Sequence, residues 1–215
     1  RNKEHIFIGT GISKNDDPAK AGIEAVSMAI KKMGDKVPDF AIVFCSAAKY
    51  GTKEKMSVIA KSIDSCLKRI NPKIRWVGCT SKREISNYGY TENSIVAMTI
   101  KTEYVHFGVG VGNKVLKLPE KAGKEAAWQA INDVKRDTYL DPYLHFSTIK
   151  TKQTYQILRT QPYFFMTLFP GCTKGYFPRD NLVIKGITSV TGIHPTFGGD
   201  ASDNWTLTQT YVMAN

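Results

Sequence analysis

Apolar and polar positions follow two rhythms along the chain, and their succession predicts the elements. Residues 5–12, HIFIGTGI, read as a first strand, and NDDPAKAGIEAVSMAIKKMG after them reads as a helix. Ile23, Val26, Ile30 and Met33 recur at helical spacing. Asp17 is placed to cap the free N–H groups, Pro18 suits the first turn, and Gly34 suits a left-handed stop. Residues 39–47, DFAIVFCSA, form a second strand, apolar on both faces and therefore expected at the centre of a sheet. Thr52 to Ile70 is a second helix, with Met56, Ile59, Ile63, Cys66, Leu67 and Ile70 on one stripe, and Ile74 to Gly78 is a third strand. Three strands joined by two helices imply crossovers and strands that run in one direction.

The rhythm then changes. NSIVAMTI and YVHFGVGVG, separated by Lys101-Thr102-Glu103, read as an antiparallel hairpin. Pro119 opens a third helix carrying Ala122, Ala126, Ala130, Ile131 and Val134. Asp137 to Gln161 reads as irregular or partly helical, PYFFMTLFPG as a strand, and Asp180 to Thr191 as a helix. PTFGGDASDNWTLTQTYVMA closes the chain as strand, glycine turn and strand. The expected fold class is α/β (or α+β), a layered fold with a mixed, largely parallel β-sheet flanked by helices plus an antiparallel hairpin. No long linker or low-complexity stretch divides it, which favours one compact unit.

Composition alters this picture little. The 215 residues are 42% hydrophobic and 23% charged, within the globular range. No apolar run approaches the roughly 20 residues that cross a bilayer, so no membrane partner is expected and a cytoplasmic location is. The four cysteines, Cys45, Cys66, Cys79 and Cys172, are widely spaced and are expected as reduced thiols. The net charge of +11 brings nucleic acid and acidic partners into view. The lysines are scattered, without basic runs or arginine–aromatic interleaving, so a solvated basic surface is expected rather than nucleic-acid binding.

Three stretches carry candidate chemistry. Gly78-Cys79-Thr80-Ser81 follows the third strand, where ligands of open α/β sheets sit, and offers exposed N–H groups and two hydroxyls for a carboxylate or phosphate. A tight turn around a buried cysteine explains the same letters. Gly171-Cys172-Thr173 repeats the triplet after another apolar strand, with Lys174 directly behind it. The third stretch is FGGDASDN, with Gly198, Gly199, Asp200, Asp203 and Asn204. It is too poor in oxygen ligands for a Ca²⁺ loop, and no metal or other cofactor is expected. A thiol nucleophile needs a lowered pKa. Among His5, His106, His145 and His194 only His194 is a plausible partner, so a Cys-dependent hydrolase or transferase ranks behind binding. GVGVGNK at 108–114 matches neither phosphate-loop spacing.

Taken in order, these blocks resemble the N-terminal half of the FIST domain (F-box and intracellular signal transduction). The resemblance is carried by SKNDDPAKAGIEAV after a strand, by DFAIVFCSA after Pro38-Asp39, and by WVGCTSKREIS with Val77, Gly78, Cys79, Glu84 and Ile85 in register. FGGDASDN adds Gly198, Gly199, Ala201 and Asp203. Arg83 departs from the family's glycine, and Thr80-Ser81 stands for its Ser-Thr. The resemblance implies that residues 1–215 are a FIST N-terminal domain cut before a C-terminal half. It also implies a sensory input module rather than an enzyme, binding a small ligand such as an amino acid or another small carboxylate and passing a signal to a downstream module. In F-box members the domain instead recruits protein substrates, which keeps a protein-interaction scaffold as the second reading. The expected pocket joins Gly78 to Ser81 and Glu84, Gly171 to Thr173, and Gly198 to Asn204. The hydroxyls of Thr80 and Ser81 would take a carboxylate, Glu84 or Asp200 an amine, and Cys79 would be a packing residue.

Overall fold

A computed structural model describes residues 5–134, 164–174, 176–192 and 194–215. The expectations for 137–161, and for His145, lie outside the described residues. The chain divides into two compact units. The first comprises Arg1–Phe107, Pro170–Phe177 and Asp200–Asn215, and the second Gly108–Phe169 and Pro178–Gly199.

In the first unit, β1 (Ile6–Ser13), α1 (Pro18–Lys31), β2 (Phe40–Ser46), the short α2 (Ala47–Tyr50), α3 (Lys53–Ile70) and β3 (Arg75–Ser81) follow in the expected order. Asp17 accepts from the amides of Ala19 and Lys20, and Gly34 takes a φ of +66°, so α1 starts and stops where its sequence signals stand. A small hairpin, β4 (Glu84–Ser86) and β5 (Gly89–Thr91), precedes β6 (Ile95–Thr102). The sheet order is β1-β6-β2-β3-β9, with β9 at Val212–Ala214.

β2 is central, as its two apolar faces predict. β6 pairs antiparallel with both β1 and β2, whereas β2 and β3 pair parallel. The three strands of the crossover units therefore run in one direction, with β6 inserted the opposite way between two of them. Only one neighbouring pair of this mixed sheet is parallel.

α1 and α3 cover one face of the sheet. Ala21, Ala25, Ala29, Ala41, Val43, Ile59, Ile63, Leu67 and Ile95 all pack there with no exposed surface. Gly9 and Gly11 make the close fit possible. A methyl group on either would overlap a carbonyl oxygen of α1, at Ala29 and Ala25 respectively. Trp76 closes the α3 side, its indole N–H donating to Asp64 at 3.1 Å.

The second unit holds α4 (Pro119–Val134), β7 (Phe165–Phe169), α5 (Asp180–Thr191) and β8 (Thr196–Asp200, whose last residue falls in the first unit). Ala127, Phe169, Val183 and Ile187 form its core. Its interior repeats a device of the first unit. Gly108, Gly110 and Gly112 lie against the carbonyls of Ala130, Ala126 and Ala122 on α4. The helices also share a sequence: Pro18-Ala-Lys-Ala-Gly-Ile-Glu-Ala25 in α1 and Pro119-Glu-Lys-Ala-Gly-Lys-Glu-Ala126 in α4. Gly22 admits Ile63 of α3, and Gly123 admits the backbone of α5 at Val183.

The hairpin expected from 93–112 is not formed. Residues 105–112 carry no strand assignment, because their glycines seat the backbone on helix carbonyls, and β6 finds its partners in β1 and β2. The antiparallel hairpin is β4–β5 instead. Gly198 and Gly199 lie within a strand rather than in a turn, where Gly198 admits the carbonyl of Thr167. All four cysteines are free. Among the described residues no helix is long and apolar enough to cross a membrane.

Candidate functional site

Gly78, Cys79, Thr80 and Ser81 lie inside β3, not in a turn after it. Gly78 is needed because a side chain would strike the Val43 carbonyl of β2. Cys79 is 4% exposed, beside Phe44 and Val212 in the sheet register. Burial pushes its thiol up to about 12, and pushes the Cys45 thiol up as well. Both are protonated at neutral pH. Thr80, 1% exposed, is fully engaged. Its amide donates to the Tyr211 carbonyl (2.9 Å), its hydroxyl accepts from the Tyr211 amide (3.1 Å), and its carbonyl accepts from the Ser202 amide (2.9 Å).

Ser81 donates to Glu84 Oε1 (2.7 Å) and Ser94 to Glu84 Oε2 (2.8 Å). Glu84 is 2% exposed, and burial raises its pKa although the two serine hydroxyls pull it down. At this end of β3 the polar groups are spent on one another. One orphan remains: the Ser46 hydroxyl, fully buried at the end of β2, has no hydrogen-bond partner.

The second Gly-Cys-Thr stretch is different. Gly171 is buried where a side chain would strike the Ala201 carbonyl, which joins this stretch to the loop after β8. Asp203 organises that loop. It accepts from the Thr206 amide (3.1 Å), the Thr206 hydroxyl (2.7 Å) and the Thr208 amide (2.8 Å). Burial alone would raise its pKa, but these hydrogen bonds outweigh it and hold the carboxyl below its ordinary value.

Between the two stretches lies a cavity of about 410 Å³ lined by Cys172, Thr173, Lys174, Tyr176, Phe177, Thr206, Leu207 and Thr208. That volume is in the range of small-molecule sites. Thr173 Oγ1, a buried hydroxyl of the lining, makes no hydrogen bond, and neither does Thr210 Oγ1, whose side chain lies beside Gly171. Unpaired buried polar atoms are rare, and each asks for an explanation. Trp205, 74% exposed and next in the chain to Thr206, carries Lys82 Nζ 4.5 Å above its ring.

The structure thus brings Gly171, Cys172, Thr173 and Asp203 together, and separately Ser81 with Glu84. Asp200 is exposed, and Gly198 and Gly199 belong to the second unit. Sequence reasoning missed Tyr176, Phe177 and the Thr206-Leu207-Thr208 wall. Their signal was faint: an aromatic pair behind Lys174, and a leucine between threonines in a polar loop. Among the described residues no group of three His, Cys, Asp or Glu side chains is placed to hold a metal ion.

The fold defines an α/β protein on a mixed sheet with a separate antiparallel hairpin. The chain belongs to the FIST family, matching the FIST N domain over residues 39–215. That family is one of signal-transduction sensory domains. No curated protein matches the chain. Among solved structures it is similar to an FtsZ mutant from M. jannaschii, at 22% identity and a TM-score of 0.32, over 45% of this chain and 27% of that one. An empty FtsZ dimer from M. jannaschii gives 23% identity and a TM-score of 0.30, over 45% and 26%. A cyanuric acid hydrolase from A. caulinodans is 10% identical with a TM-score of 0.44, covering 100% of this chain and 70% of that one. The chain thus spans about a quarter of the length of the FtsZ chains.

Proposed function

We propose that the chain is the ligand-binding part of a sensory module, and that its ligand sits in the cavity between Cys172–Phe177 and Thr206–Thr208. The observation that carries this reading is the pairing of a ligand-sized cavity with an unsatisfied hydroxyl in its lining, that of Thr173. A bound polar group that drew the neighbouring backbone inward would relieve the cost of leaving it unpaired, about 1–3 kcal/mol. The site shifts from the end of β3, where Thr80, Ser81 and Glu84 are mutually satisfied, to the second Gly-Cys-Thr stretch. The ligand class is a small carboxylate, received by Lys174 and the Thr173 hydroxyl. Binding would order the exposed Trp205–Thr208 loop, and through Ser202 and Tyr211 that loop is tied to Thr80 of the central sheet. This tie gives the occupied site a route to a downstream module. The test is a thermal-shift screen of small carboxylates and amino acids, followed by amide-shift mapping of any hit. Hits that stabilise the protein and perturb 172–174 and 206–208 support the reading; a screen with no hit refutes it.

A second reading, recruitment of a protein partner, is favoured by the β4–β5 hairpin, where Ile85 is 82%, Tyr88 66% and Tyr90 54% exposed. Arg83 stacks 5.0 Å from the Tyr90 ring, and Lys32 donates to the Tyr88 hydroxyl at 2.9 Å. An acidic partner with apolar anchors fits this surface. Replacing Ile85 and Tyr90 by serine would then abolish partner signalling without changing the melting temperature; unchanged signalling excludes it.

A further inference from the structure

We infer that the cavity selects a carboxylate with an aromatic or otherwise apolar body and no amino group, and so discriminates against free amino acids. This rests on the cavity being the ligand site and narrows what that site takes. Among the described residues the lining contains one charged side chain, Lys174, and no acid. Lys174 has no ion-pair partner among the described residues and is exposed at the rim, so its charge is available to an anion. Asp203, the acid bonded to the lining residues Thr206 and Thr208, is already committed: both its oxygens accept hydrogen bonds from them, and its carboxylate faces the loop it organises. The rest of the lining is hydroxyl or apolar. Thr173 supplies an unpaired hydroxyl, those of Thr206 and Thr208 being bonded to Asp203 and to each other, while Phe177 and Leu207, 82% and 52% exposed, supply a surface that an apolar body would cover.

Selectivity follows from this inventory. The carboxylate end of an amino acid would meet Lys174 and Thr173 as well as any other carboxylate. Its ammonium would lose water beside a lysine, with no carboxylate to receive it, and a desolvated unpaired charge is strongly disfavoured. Removing the amine removes that cost and leaves the contacts of the carboxylate and the apolar body intact. A pocket that offers an added polar group no partner rejects the ligand carrying it by up to about a hundredfold.

The experiment compares three matched probes by calorimetry, with amide-shift mapping to locate them: 3-phenylpropionate, L-phenylalanine and 2-phenylethylamine. The expected result is that 3-phenylpropionate binds at 172–174 and 206–208 at least about tenfold more tightly than L-phenylalanine, and that 2-phenylethylamine does not bind. Lys174→Met weakens 3-phenylpropionate about tenfold while Lys174→Arg retains it, since a charge-assisted contact of this kind accounts for roughly that factor. Lys174 is exposed, so both variants fold. L-phenylalanine or 2-phenylethylamine binding in the cavity as tightly as 3-phenylpropionate would overturn the inference and leave the cavity as the site. Shifts confined to other residues, or no shifts with any probe, would overturn the inference and the cavity reading together.

Discussion

Two loops follow glycine-bearing strands in this protein, and both are built around a buried carboxylate held by hydroxyls. After β3, Glu84 accepts from Ser81 and Ser94; after β8, Asp203 accepts from Thr206 and the amides beyond it. The acids titrate in opposite directions. Glu84 is raised because burial outweighs the hydrogen bonds from the Ser81 and Ser94 hydroxyls and from nearby backbone. Asp203 is lowered because the Thr206 hydroxyl and the loop's backbone amides outweigh burial and favour its charged form. The first arrangement seals one end of the sheet. The second holds a loop open, with Trp205 and Leu207 exposed beside a cavity. A carboxylate in a Gly-x-x-Ser/Thr neighbourhood is therefore no mark of a binding site; what distinguishes the second loop is the cavity beside it.

The contrast is broken first, and by the largest factor, with a thiol reagent. Cys172 lines the open cavity, whereas Cys79 is buried and protonated, so native protein at pH 7.5 should alkylate at Cys172 at least about a hundredfold faster than at Cys79. Peptide mapping after timed labelling reads this, and equal rates would mean that the end of β3 is open. Next comes stability. Glu84→Ala strands the Ser81 and Ser94 hydroxyls in a closed interior and should cost about 2–3 kcal/mol in urea unfolding. Asp203→Ala should cost less, about 1–2 kcal/mol, because its loop is solvated. It should also lose carboxylate binding, which Glu84→Ala, where it remains folded, should keep.

Smallest is the pH dependence. The folded pKa of Glu84 lies above its ordinary 4.5, so its contribution to stability is complete below about 4.5 and is lost as pH rises through the folded value. Glu84→Gln keeps hydrogen bonding without the charge. It should raise the melting temperature at pH 7.5 relative to the native protein, with the difference vanishing near pH 4. Asp203 behaves oppositely. Its pKa lies below the ordinary 3.8, so its contribution is present above that value and lost as pH falls through the folded one. Asp203→Asn should therefore destabilise at pH 7.5 and approach the native protein in strong acid. The same sign for both variants would contradict the comparison.

Much of the fold was legible in local signals. Asp17, Gly34 and the stripe of α3 marked two helices, and the unbroken apolarity of residues 40–46 marked the central strand. What was not legible was non-local. Nothing in Ile95–Thr102 says that it will insert between β1 and β2, because that pairing is decided by residues as far away as Ile6, the partner of Thr102. The alternation in GVGVG reads as a strand, and only the contact with α4 carbonyls reveals that its glycines serve helix packing. The candidate site was half legible. Cys172, Thr173 and Asp203 stood out as a repeated triplet and an acid. Thr80, Ser81 and Glu84 looked equally available, since a sequence does not display which hydroxyls are already paired. Tyr176, Phe177 and Leu207 carried no signal beyond being apolar residues in polar company.

Which of the two loops receives a ligand is read directly by amide-shift mapping during a titration with 3-phenylpropionate. The prediction is that perturbations concentrate at Cys172, Thr173, Lys174 and Thr206 to Thr208, while Gly78 to Glu84 stay unmoved apart from Thr80, which shares hydrogen bonds with Ser202 and Tyr211. Perturbations centred on Ser81 and Glu84, with the cavity silent, would contradict it.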